Sequence, residues 1–129
     1  MVVIDTNIII DHLRLQKKEQ ESLLMKIAKQ LPKKTLALSI ISVQELYEGA
    51  STRDSQKEQY LLATISPLKI LSYNYEVAQL AGQIARDLDR PIELADAAIA
   101  ATAILNGAFL HTVNKKNFRD IKNLQLYNS

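Results

Sequence analysis

The sequence predicts one α/β domain, residues 1–129, built as a three-layer α/β/α sandwich on a parallel sheet of four to five strands. Three observations predict it. Short apolar or β-branched runs alternate with longer stretches of helical periodicity along the whole chain. Turn residues fall between them, at Pro32, Pro67, Asp89-Arg90-Pro91 and Asn106-Gly107. The length, 129 residues, suits a single domain with a core that needs no staples.

The elements follow in order. Val2-Val3-Ile4 is short and apolar, as a buried strand is. Asp5-Thr6-Asn7 are good helix caps, and Ile8 to about Leu15 reads as a helix with Ile9 and Leu13 on one face. A second helix covers about Lys18 to Leu31, with Leu23, Leu24, Ile27 and Leu31 at helical spacing, and Pro32-Lys33-Lys34 ends it. Leu36-Ala37-Leu38 is the second strand. Ser39 to Ser42 turns into a helix with Ser42 as N-cap and Glu45 three residues on, the spacing of a capping box. That helix stops at Gly49. Asp54 to Ile65 is helical until Ser66-Pro67. Leu68 to Leu71 is the third strand. Asn74 opens a helix to about Leu88, with Val77, Leu80, Ala81, Ile84 and Leu88 inward. Leu94 to Leu105 is an alanine-rich helix that Asn106-Gly107 terminates. Phe109 to Val113 is the fourth strand, and Leu124 to Tyr127 a fifth at the edge.

Composition narrows the chemistry. Hydrophobic residues make up 47% and charged residues 23%, the balance of a folded globular chain. Without cysteine there is no disulfide, thiolate zinc site, cysteine nucleophile or iron–sulfur cluster. The two histidines, His12 and His111, have no nucleophile pattern around them, so a metal would need oxygen ligands. The net charge of +2 permits a nucleic-acid partner without demanding one. The pairs Lys17-Lys18 and Lys33-Lys34 read as solvated surface charge. With no membrane-length apolar run and no signal-peptide pattern, a cytoplasmic protein off the membrane is expected.

Sheets of this kind place their sites beyond the carboxyl ends of the strands, where the strand order reverses. Asp5 follows the first strand. Glu45 lies in the first turn after the second strand, and Asp96 in the first turn of the alanine-rich helix. Each also has a purely structural reading: Asp5 as a cap, Glu45 closing its capping box, Asp96 complementing a helix dipole. Asp96, however, stands among Leu94, Ala95, Ala97, Ala98 and Ile99, which must pack closely, and a buried carboxylate needs a partner. Carboxylates converging without a nearby Lys or Arg repel one another. A divalent cation is the natural counter-charge, and oxygen-only ligands point to Mg²⁺ or Mn²⁺, which suits phosphodiester hydrolysis.

Four blocks then carry a family resemblance. Val3-Ile4-Asp5-Thr6-Asn7, Ile41 to Gly49, Ala95 to Ala103 and Leu110 to Phe118 resemble, in order and spacing, those of PIN-domain nucleases, above all the VapC-like toxins of toxin–antitoxin pairs. The resemblance spans nearly the whole chain. It implies a Mg²⁺- or Mn²⁺-dependent endoribonuclease, with an RNA substrate, a cognate antitoxin and a second copy of the chain as partners. It implies Asp5, Glu45 and Asp96 as catalytic metal ligands, supported by Thr6, Asn7 and Thr112. The sequence departs from the pattern where many members carry a fourth acid. Here that segment offers Asn114 and Asn117, then Asp120. Glu93, one turn before Asp96, supplies a further acid or is a solvated first-turn residue. Glu48 reaches the pocket rim or stays in solvent. Lys115 and Lys116 either touch RNA phosphates or lie in a solvated loop. Two rival functions stay open: an RNA-processing PIN nuclease that is no toxin, and a catalytically weak PIN interaction module.

Overall fold

The structure, a computed structural model, describes residues 1–15 and 18–128. Lys17 and the side chain of Lys33, both read as solvated charge, lie outside them.

Strand β1 (Val2–Ile4) sits inside a four-stranded parallel sheet. It pairs on one side with β2 (Leu36–Ser39) and on the other with β4 (Phe109–His111). β3 (Lys69–Leu71) pairs with β2, so the order is β3-β2-β1-β4. From β1 the chain moves outward through β2 and β3, then returns to lay β4 on the far side. The order therefore reverses at β1, and the cleft between the carboxyl ends of β1 and β4 is the switch point.

Alternation along the strands divides the core in two. Val2 and Ile4 join Leu36 and Leu38 under Ile8 and Ile9 of α1 (Thr6–Leu15), Leu24 and Ile27 of α2 (Leu23–Gln30), Leu46 of α3 (Ile40–Glu48) and Leu61 and Ile65 of α4 (Ser55–Ile65). Val3, Ala37 and Leu110 face the other way, onto Ile99, Ala100 and Ala103 of α6 (Leu94–Leu105). The helix α5 (Tyr75–Asp87) reaches that cluster through Ile84. It packs outside α6, Val77 and Ala81 against Ala97 and Ala101. Lying between sheet and helix, α6 is buried at every position from Ala97 to Ala103. Alanine at five of these seven positions lets backbones approach closely on both sides. This layer mounts Asp96 on the most enclosed helix of the fold.

Local chemistry sets the boundaries. Asp54 Oδ1 accepts the Gln56 and Lys57 N–H groups at the start of α4, and Asn74 Oδ1 accepts that of Val77 at the start of α5. Gly107 takes φ +60° just past α6, a conformation that favours glycine.

Several expectations are corrected. α1 begins at Thr6, directly after the strand. α2 begins at Leu23, not Lys18, because Ser22 caps it by accepting the Met25 N–H at 3.1 Å. α3 begins at Ile40, with Ser39 as its N-cap accepting the Ile41 N–H. Ser42 is thus inside the helix and fully buried, and the capping box with Glu45 does not form. β4 ends at His111, not Val113, because the Thr112 hydroxyl accepts the Asn114 N–H and turns the chain. The fifth strand reduces to one bridge, Leu110 to Leu126, flanked by Leu110 N–H to Gln125 O and Tyr127 N–H to Leu110 O. Among the described residues, no helix is long and apolar enough to cross a membrane.

The enclosed α6 gives a direct test. Ala100→Leu adds three carbons where no space exists. We expect a loss of about 1–3 kcal/mol in urea unfolding, while a leucine at exposed Glu48 costs far less.

Candidate active site

Asp5 leaves β1 at the switch point and is 3% exposed. Its Oδ1 accepts the Thr6 N–H at 2.8 Å and its Oδ2 accepts the Thr112 hydroxyl at 2.7 Å. Thr112 follows β4, so the two strands that flank the cleft meet at this carboxylate. The Thr112 oxygen in turn accepts the Asn114 N–H at 3.0 Å, which fixes the direction of its proton toward Asp5. Burial raises the Asp5 pKa, and these two hydrogen bonds oppose it.

Glu45 arrives from α3, one turn after Ser42. The Thr6 hydroxyl lies 2.6 Å from Glu45 Oε1 and 2.7 Å from Ser42 Oγ. A hydroxyl has one proton, and the carboxylate is the stronger acceptor. Thr6 therefore donates to Glu45, and Ser42 donates to Thr6. Thr6 thus touches both acids, through its N–H to Asp5 and through its hydroxyl to Glu45.

Asp96, half-buried in the first turn of α6, feels the others. Its pKa is raised to about 6, first by burial and then by the charges of Asp5, Glu45 and Glu93, with Arg90 acting in the opposite direction. The expectation of acids without a neighbouring cation fails for Asp96. The α5–α6 loop carries Arg90 back toward the acid. Glu93 is exposed at the N-cap of α6 and lines a cavity of about 350 Å³ together with Arg90, Asp96 and Asn117.

The other candidates divide. Asn117 lines that cavity, whereas Asn114 contributes its backbone N–H to Thr112. Lys115 and Lys116 are exposed on a 3-10 turn, Lys115–Phe118, with Lys115 Nζ donating to Asn128 Oδ1. Asn7 is exposed in the first turn of α1 and stands outside this network. Glu48 is exposed and accepts from Gln44. His12 is half-buried away from the acids, its Nδ1 2.7 Å from Ser22 Oγ and its Nε2 3.2 Å from Tyr60 Oη. His111 is buried against Tyr127, ring edge to face, and neither ring nitrogen has a partner among the described residues. Two members of the site escaped the sequence reading. The sequence alone reads Ser42 as a cap and Arg90 as part of a turn; the Ser42-x-x-Glu45 spacing is the available signal for the first.

The donor set suits a hard cation: three carboxylates, all oxygen, with the charges of Asp5 and Glu45 raising the proton affinity of Asp96. Among the described residues no group of three acids or histidines forms a ready-made cage. Mg²⁺ does not require one, since it keeps several waters and takes one or two carboxylates.

The family model for the PIN domain matches residues 2–124. The chain belongs to the PIN-domain family. Members of this family are generally nucleases. Within it the chain resembles the VapC-like toxins. It is 28% identical, with a TM-score of 0.82, to a chain in the crystal structure of VapBC2 from Rickettsia felis bound to a DNA fragment from their promoter; the match covers 100% of this chain and 99% of that one. It is 30% identical, with a TM-score of 0.80, to a chain of VapBC-1 from nontypeable Haemophilus influenzae, covering 99% and 98%. DNA-bound VapBC from Salmonella typhimurium gives 26% identity and a TM-score of 0.82, covering 98% and 96%. A sequence search of curated proteins found no match.

The crowding of charge around Asp96 has a thermodynamic consequence. Its folded pKa lies above the unfolded value of about 3.9. Its contribution to stability is therefore complete below that pH and is lost as pH rises through about 6. In metal-free buffer Asp96→Asn removes this loss. Urea unfolding should show the variant more stable than the parent by about 1–2 kcal/mol at pH 7.5, after allowance for solvent screening, and equal to it near pH 4.

Proposed function

We propose that this PIN domain is a metal-dependent endoribonuclease and the toxin of a toxin–antitoxin pair. The observation that carries the nuclease reading is that Thr6 bonds both Asp5 and Glu45, Thr112 bonds Asp5, and the charges of Asp5 and Glu45 act on Asp96. Asp5 and Asp96 hold Mg²⁺ or Mn²⁺, with Glu45 as a third ligand, direct or through water. A divalent cation held there supplies charge for the phosphate oxygens and a more acidic water. The chain's own residues do the rest. Thr112 and the Thr6 N–H hold Asp5 by both carboxylate oxygens and favour its charged form against burial. The Thr6 hydroxyl, itself held by Ser42, keeps Glu45 turned toward the cleft. Glu45, partly buried and one hydrogen bond from Thr6, is placed to accept a proton from the attacking water. Lys115 and Lys116 stand on the exposed turn after β4, where RNA phosphates would pass.

The toxin reading rests on the VapBC structures, whose similarity runs the full length of both chains. By it, a cognate antitoxin and a second copy of this chain are the protein partners, in the cytoplasm. Co-purification with the product of an adjacent gene, which also suppresses cleavage, tests the antitoxin; an active protein with no such partner would leave the RNA-processing reading.

Incubating the purified protein with RNA tests the activity. Cleavage should stop in EDTA and return with Mg²⁺ or Mn²⁺. Asp5→Asn should lower the rate by at least about a hundredfold, the scale seen when one group that stabilises transition-state charge is removed, with its circular dichroism unchanged. Cleavage undiminished in EDTA, or a fully active Asp5→Asn, would overturn the assignment.

The absent fourth acid gives a second test. Asn117 shares the cavity with Asp96, so Asn117→Asp adds charge without adding bulk. Calorimetric Mn²⁺ titration should show tighter binding, by roughly 1–2 kcal/mol for a close charge in a partly solvated site. An unchanged affinity would place Asn117 outside the reach of the metal.

A further inference from the structure

Arg90 is held in an unusual way. Its Nη2 donates to two main-chain carbonyls, Arg119 O at 2.7 Å and Asn117 O at 3.1 Å. Both acceptors are neutral, and among the described residues Arg90 makes no salt bridge. Its charge is therefore fixed in place but not neutralised. Among the described residues its Nε is buried without a partner, whereas Nη1 makes no bond and is not sealed off as Nε is. The side chain lines the cavity of about 350 Å³ that also holds Glu93 and Asp96. It is the one basic residue lining that cavity among the described residues.

An acidic cavity repels a polyanion. A substrate phosphate that approaches Asp96 must also approach Glu93, and some cation has to offset both. A guanidinium suits this better than an ammonium. Two of its N–H groups can be used as anchors while the opposite edge still presents donors in a plane that matches phosphate oxygens. The anchors here belong to the turn that carries Lys115 and Lys116, and Arg119 next to it is also exposed. The same residue thus ties the basic turn to the wall of the acidic cavity.

We propose that Arg90 binds a phosphate of the substrate RNA at the mouth of this cavity, offering its Nη1 edge while Nη2 stays on the carbonyls of Asn117 and Arg119. The proposal rests on the RNA substrate of the preceding section, and its test separates the two. Binding of a short single-stranded RNA is measured by fluorescence anisotropy in EDTA, where no cutting occurs, across a salt series. Arg90→Gln should weaken binding about three- to tenfold and reduce the slope of log Kd against log salt by about 0.7, the value of one single-strand phosphate contact. Arg90→Lys should keep that slope, because the charge remains, although it loses the double anchor. If the two variants instead weaken RNA equally with the wild-type slope, Arg90 is only a tie between loops, and the proposal is overturned. Thermal melts report the tie separately, because both variants lose it. Should Arg90→Gln fail to fold, the guanidinium NMR signals of Arg90 in the wild type must shift as RNA is added; fixed signals sink the proposal. Wild type that does not bind RNA sinks it too. Arg90-dependent binding without metal-dependent cleavage would leave the proposal standing and overturn the nuclease reading.

Discussion

A carboxylate buried at the end of a central strand is the constraint from which the site follows. Asp5 cannot keep its charge at 3% exposure without donors. The fold supplies them from two directions, the first helical N–H after β1 and a hydroxyl after β4. Neither donor carries a formal charge. Asp5 therefore stays an acceptor, with its negative charge screened but not cancelled, and that residual charge acts on Asp96. A lysine in place of Thr112 would have made a stable ion pair and an inert one. Hydroxyls and amides hold the acid in position while leaving its field intact.

Much of this was legible in the sequence, because strand, helix and cap signals agreed with one another at most positions. Val2-Val3-Ile4, Leu36 to Leu38 and the alanine-rich helix are each read correctly from periodicity and flanking turn residues. Asp5 and Asp96 stand out because an acid beside an apolar run needs an explanation. The errors share a physical origin. Ser39 and Ser42 both offer a hydroxyl near the start of α3, and local spacing to Glu45 favours Ser42. Tertiary structure decides otherwise, since Thr6, 36 residues earlier in the chain, takes the Ser42 hydroxyl. Arg90 was read as a turn residue because its acceptors lie 27 and 29 residues away. Long-range hydrogen bonds leave no local signature.

The PIN family sets these residues in a common frame, and the departures within it are local. Asn114 and Asn117, both expected from the sequence near a fourth acidic position, are not equivalent. One uses its main chain to orient Thr112; the other uses its carbonyl to anchor Arg90 and its side chain to line the cavity. With an amide and no acid among its four residues, the turn Lys115–Phe118 keeps the positive charge of its two lysines.

The bond between Thr112 and Asp5 spans 107 residues of chain. A growing polypeptide presents β1 before β4. Until residues 109–112 are made, β1 lacks one of its two neighbours and Asp5 lacks its second donor. The cleft is therefore incomplete until β4 docks. For a chain read as cutting RNA, this order of assembly separates the making of the protein, beside its own message, from the moment at which the acids are in place.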